Sequence, residues 1–383
     1  MSCIELGSIL HIEKGKKPKR QQPEMAEGLL PYVDIKAFEK GIVDNYASPE
    51  KCLLCDDGDL LIVCDGSRSG LTGRAIKGIV GSTLSKIYAD GLQAEYLQYF
   101  IQSKYVLLNT QKKGTGTPHL NTELLKHSKL IVPSVPEQER IVSKIEELFS
   151  KLDASVAELQ AAKEKLKVYR QAVLKEAFDS IQANSDNVTI KSVCETIKVG
   201  IVIKPTQYYV TQGGVLAFRN ANVRRNYIED KDWAMISQEG HQKNLKSQVH
   251  EDDVLIARSG VNLGMAAVVP EKYDGYNAID VVIAVPKKES VLPQYLAQYT
   301  NSPYGLEVVR KNQHGAAQGH LNVKEYGNLP ILLPSLNDQR SLLEKIESRS
   351  SVCDSIQQTI DTSLQQAEAL RQSILKLAFE GRL

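Results

Sequence analysis

The chain has 383 residues, enough for two or three domains that each bury a core of their own. Lys and Arg number 47 against 46 Asp and Glu, so no global field marks a nucleic-acid partner and any basic surface must be local. The six cysteines show no framework spacing and no apolar run approaches about 18 residues, which excludes a disulfide scaffold and a membrane-spanning helix; with no signal peptide, a reduced, soluble, cytoplasmic protein is expected.

From the N-terminus, the first distinctive stretch is Lys14-Gly15-Lys16-Lys17-Pro18-Lys19-Arg20. Five cations in seven residues of a nearly neutral chain need a counter-surface, and phosphate is the common one. Lys14, Lys16, Lys17, Lys19 and Arg20 are therefore expected to contact DNA. A strand is predicted over residues 30–35. Cys52-Leu53-Leu54-Cys55 has no second pair at zinc spacing and reads as part of a strand. Residues 59–63 read as a buried strand followed by the loop Asp65-Gly66-Ser67-Arg68-Ser69-Gly70, which with Arg74 offers further cations. A short helix is predicted over 94–103, and Lys112 and Lys113 precede a Gly-rich turn at Gly114.

Residues 119–178 then begin a segment that returns at 320–379, with a constant offset of 201 and about 17 of 60 positions identical. His119-Leu120-Asn121 returns as His320-Leu321-Asn322, and Pro133-Ser134 as Pro334-Ser335. A repeat this long is a whole module, so the chain is two half-proteins in tandem. Each copy predicts a long helix without Gly or Pro in its interior. The first seam reads Ile141, Ile145, Leu148, Leu152, Ser155, Leu159, Ala162, Leu166, Tyr169, Val173. The second reads Leu342, Ile346, Arg349, Cys353, Ile356, Ile360, Ser363, Ala367, Leu370, Ile374. Steps of three and four are a coiled-coil rhythm. A hydroxyl three residues before a carboxylate (Ser134 and Glu137; Ser335 and Asp338) predicts a capping box at both starts. Two matched seams can pair with each other, antiparallel if an internal two-fold relates the halves; the alternative is that each helix packs on its own globular part.

Between the two helices, strands are predicted over 215–220, 253–257 and 280–285, with a short helix over 293–301. Arg219-Asn220-Ala221-Asn222-Val223-Arg224-Arg225 interleaves the residue types that read guanine and adenine edges bidentately. Arg219, Asn220, Asn222, Arg224 and Arg225 are thus candidate DNA contacts. Arg258 and Asn262 occupy the loop after the matched strand, and Arg310, Lys311 and Gln313 precede the turn at Gly315. Arg170 and Arg371 lie in the repeated helix end and are assigned to the coil or a protein partner. The fold class expected is α+β: mixed-sheet domains over 1–135 and 180–335, and helical regions over 136–179 and 336–383.

Catalytic signatures are missing. The sequence has no phosphate-binding G-x-x-x-x-G-K-[ST], no dinucleotide G-x-G-x-x-G after a strand, no H-E-x-x-H and no G-x-S-x-G. It also lacks the Asn/Asp-Pro-Pro-aromatic motif of amino-methyltransferases. Glu229-Asp230-Lys231 fits a nuclease E-x-K, but three residues match near chance and a solvated turn is the plainer reading. No metal and no cofactor are expected.

The duplicated junctions resemble the specificity subunit of type I restriction–modification systems along essentially the whole chain. The resemblance rests on His119-Leu120-Asn121…Pro133-Ser134…Glu137-Gln138-Glu139-Arg140, on its second copy His320-Leu321-Asn322…Pro334-Ser335…Asp338-Gln339-Arg340, and on the helix ends Arg170-Gln171…Ala177-Phe178 and Arg371-Gln372…Ala378-Phe379. It implies two target recognition domains, each reading one half of a split sequence in double-stranded DNA. Two long helices forming an antiparallel coiled coil would separate them, with an internal pseudo-two-fold. It further implies two modification subunits that bind S-adenosylmethionine and methylate adenine, and restriction subunits that make an ATP-dependent translocase and nuclease. The chain itself would be non-catalytic. Contact residues are not carried over from the family. A coiled-coil scaffold without a DNA role and a self-contained restriction enzyme are the competing readings.

Overall fold

The computed structural model describes residues 3–114, 118–311 and 320–383. The chain divides into two compact units, Met1–Gln160 with Asp361–Leu383, and Ala161–Ile360.

The first unit is built on a four-stranded antiparallel sheet in the order Leu10–Lys14, Leu84–Ala89, Leu60–Val63, Thr72–Arg74. Leu60–Val63 is buried at every position, as a strand covered on both faces must be. Its alternating side chains feed two cores. Leu60 and Ile62 meet Tyr96, Leu97, Phe100 and Ile101 of the helix Ala94–Ser103, whereas Leu61 and Val63 meet Val33, Val80 and Leu84. The second of these cores lies under a mixed sheet in which Leu30–Val33 and Gly78–Val80 run parallel. The strand predicted over 30–35 stops at Val33. Asp34 accepts the Ala37 N–H at 2.9 Å and starts the helix Ile35–Lys40 instead.

The second unit repeats this topology. Its four-stranded sheet runs Cys194–Val199, Val281–Pro286, Val254–Ala257, Ala266–Val268. Val254 and Ile256 face the helix Pro293–Asn301, while Leu255 and Ala257 face a core containing Phe218, Tyr273 and the single tryptophan, Trp233. The parallel pair is now Val215–Phe218 with Asn277–Ala278.

The long helices are Val135–Asp179 and Leu336–Phe379, of 45 and 44 residues. At 1.5 Å per residue each is about 66–68 Å long. In both units the two helical segments pair antiparallel. Asp153 bonds Arg371 in the first unit; in the second, Arg170 meets Asp354 at 2.7 Å and Glu176 meets Arg349 at 2.7 Å. The helices also pack on the globular parts, through Phe379 on Tyr96 and Phe100, and Phe178 on Tyr295 and Tyr299. Pairing and packing on a domain thus occur together.

The predicted seam is half right. Ile145, Leu152, Leu159, Leu166 and Val173 face inward as expected. The alternate rank is displaced by one residue: Val142, Phe149, Val156, Lys163 and Arg170 are the more buried, and Tyr169 is 51% exposed. The second helix repeats the displacement in part. Gln357 and Arg371 are more buried than Ile356 and Leu370, which are 44% and 51% exposed, while Ser363 and Leu364 are both half-buried. Long polar side chains lay their stems along the seam and keep their charged ends in water, which an apolar count cannot see. The capping box is also half formed. Ser335 Oγ accepts the Asp338 N–H at 3.2 Å and donates to its carboxylate at 2.7 Å, whereas Glu137 is drawn to Arg140 at 2.8 Å.

Candidate nucleic-acid interface

In the first unit the basic stretch leaves the sheet at Gly15. Its N–H bonds Leu84 O at 3.0 Å, and a Cβ there would lie 2.2 Å from Gly81 O, so only glycine fits. Beyond it Lys16, Lys17, Lys19 and Arg20 are exposed on a loop. Lys19 lies 3.4 Å from Glu50 and Arg20 donates to Gln22 at 3.1 Å; both contacts are solvent-exposed and weak. Lys16 and Lys17 have no ion pair among the described residues. Lys14 turns the other way, 3.0 Å from Asp65, whose second oxygen lies 2.7 Å from His119 Nδ1. Burial pushes the Asp65 carboxyl up, but the hydrogen bonds from His119 and Lys14 outweigh it and hold the group below the usual carboxylate range.

The loop after Leu60–Val63 is a turn closed by backbone hydrogen bonds, with Gly66 and Gly70 at φ of 107° and 93°. Arg68 on this loop pairs with Glu39 at the edge of a cleft of about 460 Å³, lined also by Asp34, Lys36, Gly66 and Thr83. Lys112 donates to Ser67 O at 3.0 Å, and Lys113 exchanges backbone bonds with His119 at 2.9 and 2.8 Å. Lys14, Arg68, Lys112 and Lys113 are thereby gathered around one turn. Arg74 is elsewhere. It donates to Gly58 O and pairs with Glu95, both at 2.9 Å, bracing the sheet against the helix Ala94–Ser103.

The second unit rebuilds the same turn bond for bond. Gly70 N–H to Val63 O, Ser69 N–H to Gly66 O and Leu71 N–H to Arg68 O return as Gly264 to Ala257, Leu263 to Gly260 and Met265 to Asn262. Gly260 and Gly264 again have positive φ, 71° and 80°. The side chains differ. Asn220 accepts the Arg258 N–H at 2.7 Å, donates to Ser259 Oγ at 2.9 Å, and receives Asn262 Nδ2 on its own carbonyl at 2.8 Å. Arg258 lies 3.3 Å from Asp280. Arg219 donates to Asp232 O, and the Nε atoms of Arg219 and Arg258 are both buried without a partner among the described residues. A cleft of about 610 Å³ is lined by Arg219, Asn220, Ala221, Asp232, Ile279 and Asp280.

Asn222 does not belong to this surface. It is fully buried; its amide donates to Glu229 O and Lys231 O at 3.1 and 2.8 Å and accepts the Arg219 N–H at 2.9 Å. Every polar position of the side chain is spent on the turn, so the expected base-edge contact gives way to a positioning role. Asn262 is likewise buried and bonded inward. Arg224 approaches Glu229 at 3.6 Å, and Arg225 is partly buried. Arg310 and Lys311 end the helix Pro303–Lys311; their side chains, and Gln313, lie outside the described residues.

The E-x-K segment is a network of ion pairs. Glu229 sits between Arg224 and Lys231, and Asp230 is held down to about 2 by hydrogen bonds from Lys272, Tyr273 and Trp233. Cys55 is buried on the short strand Leu54–Cys55, its thiol pushed up to about 11 mainly by burial. Among the described residues no group of three or more His, Cys, Asp or Glu is placed to hold a metal ion, and no helix is long and apolar enough to cross a membrane.

Sequence reading missed the residues that fix this arrangement. Leu120 N–H bonds Cys64 O at 2.7 Å, and Leu321 N–H bonds Arg258 O at 2.9 Å, so the repeated His-Leu-Asn pins the turn after the central strand in each unit. Gln138 and Gln339 are fully buried. Gln138 accepts Gln93 N–H at 2.8 Å and donates to Gly91 O and Pro133 O at 2.8 and 3.0 Å; Gln339 does the same with Leu292, Ser290 and Pro334 at 2.9, 2.9 and 3.0 Å. Each glutamine clamps its long helix to the loop before the short helix. The signal was present, since both are among the identical positions of the repeat.

A family model described as type I restriction modification DNA specificity domain matches residues 2–164. Along the rest of the chain the likeness continues. The MjaVIII specificity subunit of Methanocaldococcus jannaschii is 23% identical across 99% of this chain and 92% of its own length. The EcoBI specificity subunit of Escherichia coli is 24% identical across 99% and 85%. This chain is similar to type I restriction–modification specificity subunits along nearly its whole length. The fold agrees. A chain from a structural study of complex assembly and conformational transition in the type I R-M system superposes with a TM-score of 0.73, at 20% identity, covering 100% of this chain and 98% of that one. The HsdS subunit from Thermoanaerobacter tengcongensis superposes with a TM-score of 0.52, at 19% identity, covering 100% and 97%.

Proposed function

We propose that this chain is the sequence-reading subunit of a type I restriction–modification complex and that it reads a bipartite duplex target, one half-site per unit. The observation that carries this is the turn after the central strand, built twice with the same backbone bonds and given different side chains each time. A repeated scaffold with unlike tips suits a partner whose backbone repeats and whose bases do not, which describes duplex DNA. The exposed cations Lys16, Lys17, Lys19, Arg20 and Lys113, with the half-buried Lys112, are proposed to meet phosphate. Arg68, Arg219, Arg224, Arg225 and Arg258, with Arg310, Lys311 and Gln313, are proposed to lie at or beside the bases. Lys14, Asn220, Asn222 and Asn262 position them, and Arg74 braces the sheet.

The chain is proposed to be non-catalytic and to need no cofactor of its own. Methyl transfer and cleavage would come from two modification subunits and the restriction subunits docked on it. The test is methylome sequencing of cells expressing this chain with its cognate modification subunit. One split adenine-methylated motif is expected, absent when either component is omitted. Methylation or cleavage by the purified chain alone, or an unsplit motif, refutes the reading.

A further inference from the structure

The two recognition turns share a backbone, and their apices differ in kind. In the first unit the apex is Ser67, whose carbonyl is bonded by Lys112 and Asn109 at 3.0 and 2.8 Å. The matching apex of the second unit is Val261, which is 97% exposed. Scattered exposed valines are ordinary. This one stands on a turn closed by backbone bonds of Leu263 to Gly260 at 3.2 Å, Gly264 to Ala257 at 2.8 Å and Met265 to Asn262 at 2.8 Å, and tied to Asn220 through Asn262 at 2.8 Å. Its β-branched side chain has few rotamers. Little conformational freedom remains to be given up, so an apolar group pressed against it yields nearly its full burial energy. The same Asn220 lines the cleft that holds Arg219, and Arg258 begins the turn. The apex is therefore one residue from a side chain bonded to the wall of the cleft that holds Arg219, one of the arginines proposed above to lie at or beside the bases.

We infer that Val261 is a specificity-determining residue of the second unit that reads the C5-methyl group of a thymine in its half-site. Among base edges in the major groove, the thymine methyl is the apolar feature a valine can recognise. The first unit, with Ser67 and Arg68 at the same place, makes no such contact. This inference rests on the DNA-reading role proposed above and extends it to one base.

The test uses the full chain assembled with its modification subunit. The motif is first mapped, and the half belonging to the second unit is identified as the one that changes when residues 180–335 are exchanged for those of a relative. Duplexes are then made with each thymine of that half replaced in turn by deoxyuridine, which removes the methyl group and leaves the pairing edge intact. One replacement is expected to weaken binding of the wild-type complex roughly three- to tenfold, the worth of one or two buried methyl groups. V261A is expected to bind the thymine duplex as weakly as the wild type binds the uracil duplex, and to lose no more on uracil. Replacements in the other half-site are expected to be without effect. A second half-site lacking any A·T pair, indifference of the wild type to every replacement, or equal losses by V261A on thymine and uracil duplexes would each overturn the inference. Equal losses on both would point to a protein contact at the apex. Failure of the wild-type complex to bind any bipartite duplex would instead strike the underlying DNA-reading role.

Discussion

Asn222 and Lys16 are both candidate DNA contacts in the sequence, and burial separates them. The triple variant of Lys16, Lys17 and Lys19 to Ala is expected to bind all duplexes more weakly and to keep the same methylated motif. Each phosphate left unneutralised flattens the plot of log affinity against log salt by about 0.9, so a drop in slope of about two to three is expected. An unchanged slope in binding titrations would remove the basic loop from the interface. N222A should behave differently. It strands the Arg219 N–H and the carbonyls of Glu229 and Lys231, and buried groups left unpaired cost about 1–3 kcal/mol each. Chemical denaturation should therefore show a less stable second unit, with the salt slope preserved. Full stability in N222A, with relaxed specificity, would restore the base-reading role. Residue type was legible in the sequence here; residue commitment was not, because the partners of Asn222 are backbone atoms three, seven and nine positions away that carry no side-chain signal.

The strongly patterned elements were legible. The apolar runs around Leu60–Val63 and Val254–Ala257, both short helices and both long helices fall where periodicity puts them. The second rank of the coil was not legible, because Lys163, Arg170, Gln357 and Arg371 enter the seam by their stems and Tyr169 and Leu370 stay out. The equivalence of the two turns after the central strands was also hidden. They match at an offset different from that of the helical repeat, and the match lies in backbone bonds. The buried glutamines offer a test of how the helices are held. Q138A is expected to lower hydrogen-exchange protection at residues 91–97, and Q339A at 290–296, each consistent with a loss on the order of 1–3 kcal/mol for the stranded groups. Protection equal to wild type at those amides would show that the clamp contributes nothing.

Each long helix starts in one unit and ends in the other, since the units divide at Gln160/Ala161 and Ile360/Asp361. Helix length is therefore expected to set the spacer between half-sites. Seven residues inserted after Ala162 and after Ser363 add about 10.5 Å and keep the seam in phase. That length corresponds to roughly three base pairs at about 3.4 Å each. Methylome sequencing is expected to return the same half-sites with a longer spacer, and affinity can fall because the duplex also rotates. The original spacer at full activity would show that the helices are not the ruler. The exchange of helical ends has a second consequence, in the order of synthesis. The second unit is one unbroken stretch, Ala161–Ile360, and has all its residues once the ribosome reaches Ile360. The first unit, although it contains the N-terminal half, lacks Ile374, Leu375 and Ala378 of its helical core and the Phe379 ring on Tyr96 and Phe100 until these are translated. Domains usually fold in the order in which they emerge. Here the later-encoded unit is expected to mature first, and a released chain truncated at Ile360 should resist protease over residues 161–360 while residues 1–160 are still cut.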